Sequence, residues 1–259
     1  MNVKTYQRIY QELESHDDIS TVSKKYSVSI STISSISHQK TVRNVKKYHS
    51  RVVQKAPLMV RSWHKGKTIL ELARQNRFPP VLIASIILKE MGLKSKSVIK
   101  NPAILSNKRL KEEVIQAIVH DMDFSPQGHE VQSRLGDLGE ELIHNWLTDH
   151  DLDFLTESDL NKELNAKTPD FLLKNSIDID GSTVNWIESK AVFADETEHN
   201  RYQKKQLGFY EELFGPGMVV YWYGYLDTIS PNNYLIVDHT FFEQMGYDLD
   251  RLLNHVMVQ

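Results

Sequence analysis

The first part of the chain repeats apolar residues at helical spacing. They recur every three or four positions through residues 19–26 and again through 30–36, with a polar break at 27–29. This pattern predicts a short helix, a turn and a second helix, which together form a helix-turn-helix candidate. In the usual docking of such a pair, the second helix, at about residues 29–37, enters the major groove. The positions that we expect to be exposed there are Ser31, Thr32, Ser34 and Ser35.

A second helical pair is predicted further along. Thr68 stands where it can cap a helix, residues 76–80 interrupt the apolar pattern, and residues 81–88 are almost entirely apolar. The apolar character of 81–88 indicates a buried helix, so this pair is predicted to pack rather than to read nucleic acid. Any compact helical domain contains such pairs, which leaves a purely structural role open for both.

The second half of the chain alternates helical and strand patterns. The Asp180-Gly181 pair between two strand patterns is typical of a tight hairpin turn. The order helix, three strands, helix, two strands fits the mixed sheet of restriction-endonuclease-like folds, and the predicted class is α/β. The predicted helices are residues 135–147 and 197–214, and the predicted strands are 169–173, 176–180, 183–193, 218–225 and 234–237.

Charge divides the chain more sharply than the net value of −3 suggests. Residues 1–110 hold 21 Lys and Arg against 6 Asp and Glu, whereas residues 111–259 hold 10 against 28. We therefore predict two domains: a basic helical DNA-binding domain at 1–110, and an acidic domain at 111–259, whose strand order fits the restriction-endonuclease-like folds. The alternative is that the two halves simply attract each other. A basic run that would follow the second helix and contact phosphates consists of Lys40, Arg43, Lys46, Lys47 and Arg51.

The composition excludes several classes of protein. The chain has no cysteine, so it has neither disulfides nor cysteine-ligated zinc. We expect no secretory signal and no membrane span, because no apolar stretch has the required length. The expected location is intracellular: cytoplasmic in a prokaryote, nuclear and cytoplasmic in a eukaryote.

Two acids and a lysine are the strongest candidates for chemistry. Asp170 begins one apolar run, and Glu188 and Lys190 stand two apart in the next. Alternation along a strand puts Glu188 and Lys190 on one face together with Val184 and Trp186, about 7 Å from each other. Facing carboxylates suit Mg²⁺ or Mn²⁺, and the lysine can orient a water. The plainer interpretation is a solvated strand face and an acid after a turn proline.

Two further elements could complete such a site. Glu140 and Glu141 adjoin on the preceding helix, where one acid can face inward; we favour Glu140 as a metal ligand, and a solvated helix acid is the alternative. Gln206 and Tyr210 are four apart on the next helix and share a face, as they would also in an ordinary amphipathic helix. Lys204 and Lys205 lie beside Gln206, where they could bind phosphates.

Five sequence blocks in order resemble the TPD-domain family of PD-(D/E)XK nucleases. The resemblance covers about residues 135–225 and implies a restriction-endonuclease-like fold. It implies metal binding and catalysis for Asp170, Glu188 and Lys190, a metal-binding role for Glu140, and the glutamine-x-x-x-tyrosine element of RecB-like nucleases for Gln206 and Tyr210. The blocks are residues 168–171 (TPDF), 186–191 (WIESKA), 206–210 (QLGFY), 214–217 (FGPG) and 221–224 (YWYG).

The function predicted from the sequence is that of an Mg²⁺-dependent endonuclease whose basic half holds DNA. The sequence does not choose between DNA and RNA. The alternative is a non-catalytic DNA-binding or adaptor protein that keeps the nuclease fold. Nucleases of this class often pair, so a homodimer is one expected assembly, and no residue identifies a protein partner.

Overall fold

The chain folds into two compact units. We call residues 1–37, together with the described residues from 134 onward, the sheet unit, and residues 38–133 the helical unit. This division differs from the predicted boundary at residue 110, because apolar side chains near the N-terminus, such as Ile9 and Ile33, belong to the core of the sheet unit. The computed structural model describes residues 1–163, 167–230, 233–247 and 249.

Helices dominate the chain before the sheet. The predicted pairs are present, and the basic run lies on the continuation of a single long helix, as predicted. The helices are α1 (Val3–Glu12), α2 (Ile19–Tyr26), α3 (Ile30–Val53), α4 (Ala56–His64), α5 (Ile69–Asn76), α6 (Pro80–Glu90), α7 (Ser95–Lys100), α8 (Lys108–Val119) and α9 (Pro126–Asp149).

The described residues of the sheet unit form one mixed sheet in the order β1-β2-β3-β4-β5, which confirms the predicted α/β class. The first three strands are antiparallel neighbours, and the last three are parallel neighbours. The elements are β1 (Phe154–Thr156), α10 (Glu157–Glu163), β2 (Phe171–Ile179), β3 (Ser182–Lys190), α11 (Glu196–Tyr202), a π-helical segment (Gln203–Leu207), α12 (Gly208–Phe214), β4 (Gly217–Tyr221), β5 (Tyr234–Asp238) and α13 (His239–Glu243).

The strands differ from the prediction in two respects. The two runs predicted at 169–173 and 176–180 form the single strand β2, with a register shift between Leu172 and Ile177. The short strand β1, which was not predicted, pairs with β2. The hairpin turn is confirmed: Asp180 and Gly181 both have positive φ, 51° and 79°.

Helices cover both faces of the sheet. One face packs with apolar side chains from α1, α2, α3 and α9, including Ile9, Ile36 and Trp146. The other face packs with the chain from α11 to α12, including Leu207 and Tyr210. The parallel connection from β3 to β4 requires a crossover, and α11 to α12 supply it.

The second helix of the helix-turn-helix candidate, at the start of α3, does not expose the side chains that we predicted to contact DNA. The turn after α2 contains Ser27 in a left-handed conformation, with φ 51°, as a short turn between helices requires. However, Ser31 and Thr32 are buried, and Thr32 Oγ1 donates to the carbonyl of Tyr223 at 2.9 Å. These two side chains are therefore occupied within the sheet unit.

The next two predicted reading positions are also partly covered. Ser34 and Ser35 are half-buried, and Ser35 Oγ accepts a hydrogen bond from the backbone N–H of Phe193 at 2.8 Å. The prediction that this serine- and threonine-rich face is exposed is wrong. The neighbouring isoleucines Ile33 and Ile36 bury the same part of α3 in the core of the sheet unit.

The helical unit has its own apolar core, built mainly by α4, α5, α6 and α8. The predicted cap is confirmed, since Thr68 and Glu71 form a reciprocal capping box at the start of α5. Residues 81–88 of α6 are mostly buried, as predicted.

Two buried carboxylates tie the helices of this unit together. Glu113 accepts hydrogen bonds at 2.8–3.1 Å from Trp63 Nε1, the backbone N–H of Ile69 and Arg109 Nε. Asp121 accepts from the backbone N–H groups of Val81, Asp123 and Phe124. Each of these acids thus satisfies several donors at once.

In the described ranges, no helix combines the length and the apolar composition that crossing a bilayer requires.

Candidate active site

Strand β3 carries two of the three central candidates. Glu188 is 1% exposed, and Lys190 Nζ is in direct contact with Glu188 Oε1. The two side chains therefore share a face, as their spacing predicted. Trp186 lies on that face as well, but Val184 packs with Ile177 in the opposite core, because the ladder is irregular between β2 and β3.

Asp170 directly precedes β2 and lies beside Glu188 and Lys190. Its Oδ2 accepts a hydrogen bond from the backbone N–H of Ser189 at 2.7 Å. Its own backbone N–H donates to Glu188 Oε2 at 3.2 Å. The structure therefore brings Asp170, Glu188 and Lys190 together at one point of the sheet.

The three charged side chains shift one another's pKa values. Burial raises the pKa of Glu188 to about 7, and the charge of Asp170 adds to this increase. Burial also raises the pKa of Asp170, although Lys190 and the Ser189 amide oppose the shift. Burial disfavours the charged form of Lys190, but Glu188 and Asp170 together outweigh it and raise the pKa of the ammonium. Lys190 is thus a half-buried cation in contact with Glu188 and near Asp170, and these two acids repel each other.

The donor set fits a hard divalent cation through two ligands. Carboxylate oxygens are the ligands that Mg²⁺ and Mn²⁺ prefer, and repulsion between Asp170 and Glu188 is what a cation would relieve. Among the described residues, no three His, Asp or Glu side chains lie close enough together to hold a metal ion. The predicted third ligand, Glu140, is therefore not gathered with the other two in this arrangement.

Glu140 nevertheless lies within electrostatic reach. Its side chain is exposed overall, yet partial burial of the carboxyl group and the charge of Asp170 raise its pKa to about 7. Lys190 acts in the opposite direction on the same pKa. Glu140 therefore interacts electrostatically with Asp170 and Lys190, and its role as a metal ligand stays a prediction.

A glycine next to Glu140 sets the distance between α9 and the sheet. A Cβ atom at Gly139 would lie 2.4 Å from Trp222 Nε1 and 2.9 Å from Ser189 Oγ, which is closer than real Cβ atoms approach. Trp222 Nε1 donates to Ser189 Oγ at 2.8 Å, so both groups are fixed in place. Only glycine allows α9 to approach the sheet this closely at Ser189, on the face opposite Glu188 and Lys190. Sequence reasoning missed this residue.

The predicted glutamine and tyrosine lie on the helix segment that faces the site. Tyr210 is buried, and its hydroxyl donates to the backbone carbonyl of Thr168 at 2.8 Å. Burial, followed by the charges of Glu188 and Asp170, raises the pKa of Tyr210 well above its usual value, while a hydrogen bond with Gln206 lowers it. Tyr210 therefore anchors the Thr168–Pro169–Asp170 segment, and Gln206 is hydrogen-bonded to Tyr210.

The helix around Gln206 is not a regular α-helix. Residues Gln203–Leu207 are π-helical, between α11 and α12. A π-helical segment is often found at functional sites, because it redirects side chains by one extra residue. The prediction of one continuous helix at 197–214 missed this irregularity.

Tyr202 is a second residue that sequence reasoning missed. Lys190 Nζ lies 5.3 Å from the centre of the Tyr202 ring. A cation over an aromatic face is attracted to it, so the ring helps to fix the direction of the ammonium. No spacing in the sequence connects the end of β3 with the end of α11.

The candidate nucleic-acid residues all lie on α3, in the helical unit. Lys46, Lys47 and Arg51 are exposed, and Lys40 and Arg43 are half-buried. Two of the exposed cations flank an exposed ring: Lys47 Nζ lies 5.2 Å, and the Arg51 guanidinium 6.0 Å, from the centre of Tyr48. The helical unit as a whole holds 18 Lys and Arg against 7 Asp and Glu.

Comparisons with known proteins are consistent with the geometry. A protein named CDAN1-interacting nuclease 1 from Bos taurus is 33% identical over 225 residues, which cover 80% of this chain and 80% of that protein. The Mus musculus protein of that name is 33% identical over 227 residues, with the same coverage. The Homo sapiens protein is 34% identical over 174 residues, 63% of this chain and 62% of that protein.

The remaining comparisons concern the family and the fold. No solved structure matches the chain. The model of a family described as "Protein of unknown function TPD sequence-motif" matches residues 106–240, a range that contains every candidate residue of the site around Asp170. Relatives named as nucleases are similar to this chain over most of its length. The chain therefore belongs to the TPD-motif family.

Proposed function

We propose that this protein is a metal-dependent nuclease that hydrolyses phosphodiester bonds in DNA. The observation that carries the proposal is the cluster of Asp170, Glu188 and Lys190, in which a buried acid, a half-buried acid and a half-buried lysine meet at the ends of two paired strands. Relatives that cover 80% of the chain are named nucleases, which supports the same class of reaction.

Asp170 and Glu188 would hold the metal, with Glu140 as a candidate further ligand. Bound Mg²⁺ or Mn²⁺ would supply polarisation of the phosphate and a lower pKa of a coordinated water. The protein supplies a buried and a half-buried carboxylate whose mutual repulsion favours uptake of a cation. Gly139, next to Glu140, allows α9 to pack closely on the sheet at Ser189 and Trp222.

Lys190 would orient the attacking water and stabilise negative charge that develops on the phosphate. Its pKa is raised by the two acids, so the group is an ammonium at neutral pH and acts as a donor. The Tyr202 ring and Glu188 hold it from two sides. A lysine fixed in this way loses little freedom when the substrate arrives.

Tyr210 and Gln206 would act as positioning residues. The hydrogen bond from Tyr210 to the Thr168 carbonyl fixes the segment that carries Asp170. Gln206 bonds Tyr210 and lies beside the exposed Lys204 and Lys205, which could contact phosphates. We further propose that the basic helical unit holds the nucleic acid through Lys40, Arg43, Lys46, Lys47 and Arg51.

A substrate panel with and without metal tests the proposal. Labelled single-stranded, duplex, flapped and branched DNA, and the same structures in RNA, are incubated with the full chain in Mg²⁺, Mn²⁺ or EDTA. We expect cleavage of at least one DNA structure in a divalent metal and none in EDTA. Binding without cleavage in both metals would instead favour a non-catalytic DNA-binding or adaptor protein.

Matched variants assign the activity to the site. We expect Asp170→Asn and Lys190→Ala to lower cleavage by at least about a thousandfold while DNA binding persists. Glu141→Ala and Lys174→Ala remove exposed groups of the same charge from α9 and β2, and should cleave like the wild type. Equal cleavage by all five proteins would show that the reaction occurs elsewhere.

A further inference from the structure

An exposed aromatic ring stands next to the candidate active site. Phe209 is 44% exposed on α12, although it directly precedes the buried Tyr210. Tyr210 is the residue whose hydroxyl holds the Thr168 carbonyl, two positions before Asp170. Phe209 is thus attached to the same helix turn that positions the site, but its ring faces outward.

A lysine side chain lies over the Phe209 ring, and two more lysines are close in sequence. Lys167 Nζ lies 4.5 Å from the centre of the Phe209 ring and donates to the backbone carbonyl of Lys205 at 2.5 Å. The side chains of Lys204 and Lys205 are exposed one turn before Phe209. A cation from the Thr168 segment therefore contacts the ring, and two further exposed lysines precede Phe209 on the same helical stretch.

This basic spot is unusual for its surroundings. The residues of the sheet unit, 1–37 and 134–259, comprise 13 Lys and Arg against 27 Asp and Glu. A ring with three lysines on so acidic a unit favours an anionic partner over an apolar one. A nucleic acid offers both groups that fit: a phosphate for the lysines and a flat base for the ring.

We infer that Phe209, with Lys167 and Lys205, is a stacking platform for an unpaired base beside the scissile phosphate. This inference rests on the proposed nuclease function and narrows its substrate class. In an intact duplex every base is already stacked on its neighbours, so an outward ring has a free base face to contact only at a flap, an overhang or a loop. The preferred substrate is therefore DNA with single-stranded character at the cleavage point.

Binding in EDTA separates this inference from catalysis. The probes are a DNA duplex with a single-stranded flap, with 2-aminopurine at the junction, and the same duplex without the flap. We expect the full chain to bind the flapped probe more tightly and to change its fluorescence. Phe209→Ala should lose about tenfold in affinity for the flapped probe, the size of one stacking contact, and less than twofold for the plain duplex.

Two further variants serve as controls. Phe209→Tyr keeps the ring and should keep both the preference and the fluorescence change. Leu213→Ala removes another exposed apolar side chain, 57% exposed on the same helix, and should bind both probes like the wild type. Thermal unfolding of each variant checks that the fold is intact, which the exposure of both positions favours.

The outcomes are distinguishable. Loss of the flap preference in Phe209→Ala alone supports the platform, even if no variant cleaves DNA, in which case the nuclease proposal fails separately. Equal binding by Phe209→Ala and the wild type overturns the platform and leaves Phe209 and Leu213 as a surface for a protein. An equal loss on both probes also overturns it, since the ring would then serve duplex DNA as well.

Discussion

The helical unit and the sheet unit both bury carboxylates, but they surround them differently. In the helical unit, Glu113 and Asp121 each accept hydrogen bonds from three donors. In the sheet unit, Asp170 and Glu188 each accept from one backbone amide, lie close enough to repel each other, and share one lysine. The first arrangement holds helices together, whereas the second leaves repulsion between two acids that a bound cation would relieve.

The largest predicted effect is a loss of stability when a hydrogen-bonded acid of the helical unit is removed. Glu113→Ala leaves Trp63 Nε1 and the Ile69 amide without an acceptor in a buried place. We expect it to lower the free energy of unfolding by about 3–5 kcal/mol. Urea unfolding with hydrogen exchange of the helical unit measures the loss. The exposed neighbour Glu112, changed to Ala, should cost less than about 0.5 kcal/mol, and similar losses for both would contradict the structural role.

A pair of glycines on α9 tests how closely the sheet unit is packed at its site. Gly139→Ala places a methyl group against Trp222 and Ser189, and we expect it to cost about 1–3 kcal/mol and to reduce cleavage. Gly136→Ala meets nothing within 4 Å and should raise stability by up to about 1 kcal/mol through helix propensity. If both variants unfold at the same temperature, close packing at Gly139 is not required.

Glu188 should respond to pH in the opposite way to a structural acid. Its pKa of about 7 in the folded protein lies above the ordinary value of 4.5 for a glutamate, so the folded state binds the proton more tightly than the unfolded chain does. The contribution of Glu188 to stability is therefore present below pH 4.5 and lost as pH rises through 7. In EDTA, the stability of Glu188→Gln relative to wild type should increase by about 1–3 kcal/mol from pH 5 to pH 8.

Metal sharpens the same measurement. Mg²⁺ or Mn²⁺ at pH 8 should stabilise the wild type more than Glu188→Gln, because the cation replaces the missing proton between the acids. A stability difference that is flat with pH, in EDTA and in metal alike, would mean that Glu188 is a paired structural acid like Glu113.

The smallest effect concerns the charge of the two units. Lys46→Ala on α3 should reduce the slope of log K against log salt for DNA binding by about one, and weaken binding only a few-fold at moderate salt. Lys174→Ala removes an equally exposed lysine from the acidic sheet unit and should leave the slope unchanged. If the two variants reverse this order, the basic helical unit does not contact the phosphates.

Local patterns in the sequence were sufficient for most elements. The helices around residues 19–36 and 69–88, the Thr68 cap and the Asp180–Gly181 turn depend on residues close in sequence, and each is confirmed. The shared face of Glu188 and Lys190 followed from strand alternation alone, because both lie beyond the irregular part of β3.

Side-chain exposure on α3 required the folded chain. The serine- and threonine-rich face resembles a surface, yet it packs on the sheet unit's core, so its exposure could not be predicted from polarity. The domain boundary failed for the same reason. Residues 1–37 join a core formed by residues more than a hundred positions later, and composition does not record contacts at that separation.

The sequence by itself determined the elements, the basic and acidic regions, and the acids and lysine of the candidate site, since these depend on residue type and short-range periodicity. Tertiary structure alone decided that Tyr210 anchors the Thr168 carbonyl, that Gly139 brings α9 against Ser189, and that Phe209 faces outward among lysines. Each of these contacts joins elements that are distant in sequence, and only packing determines which of them meet.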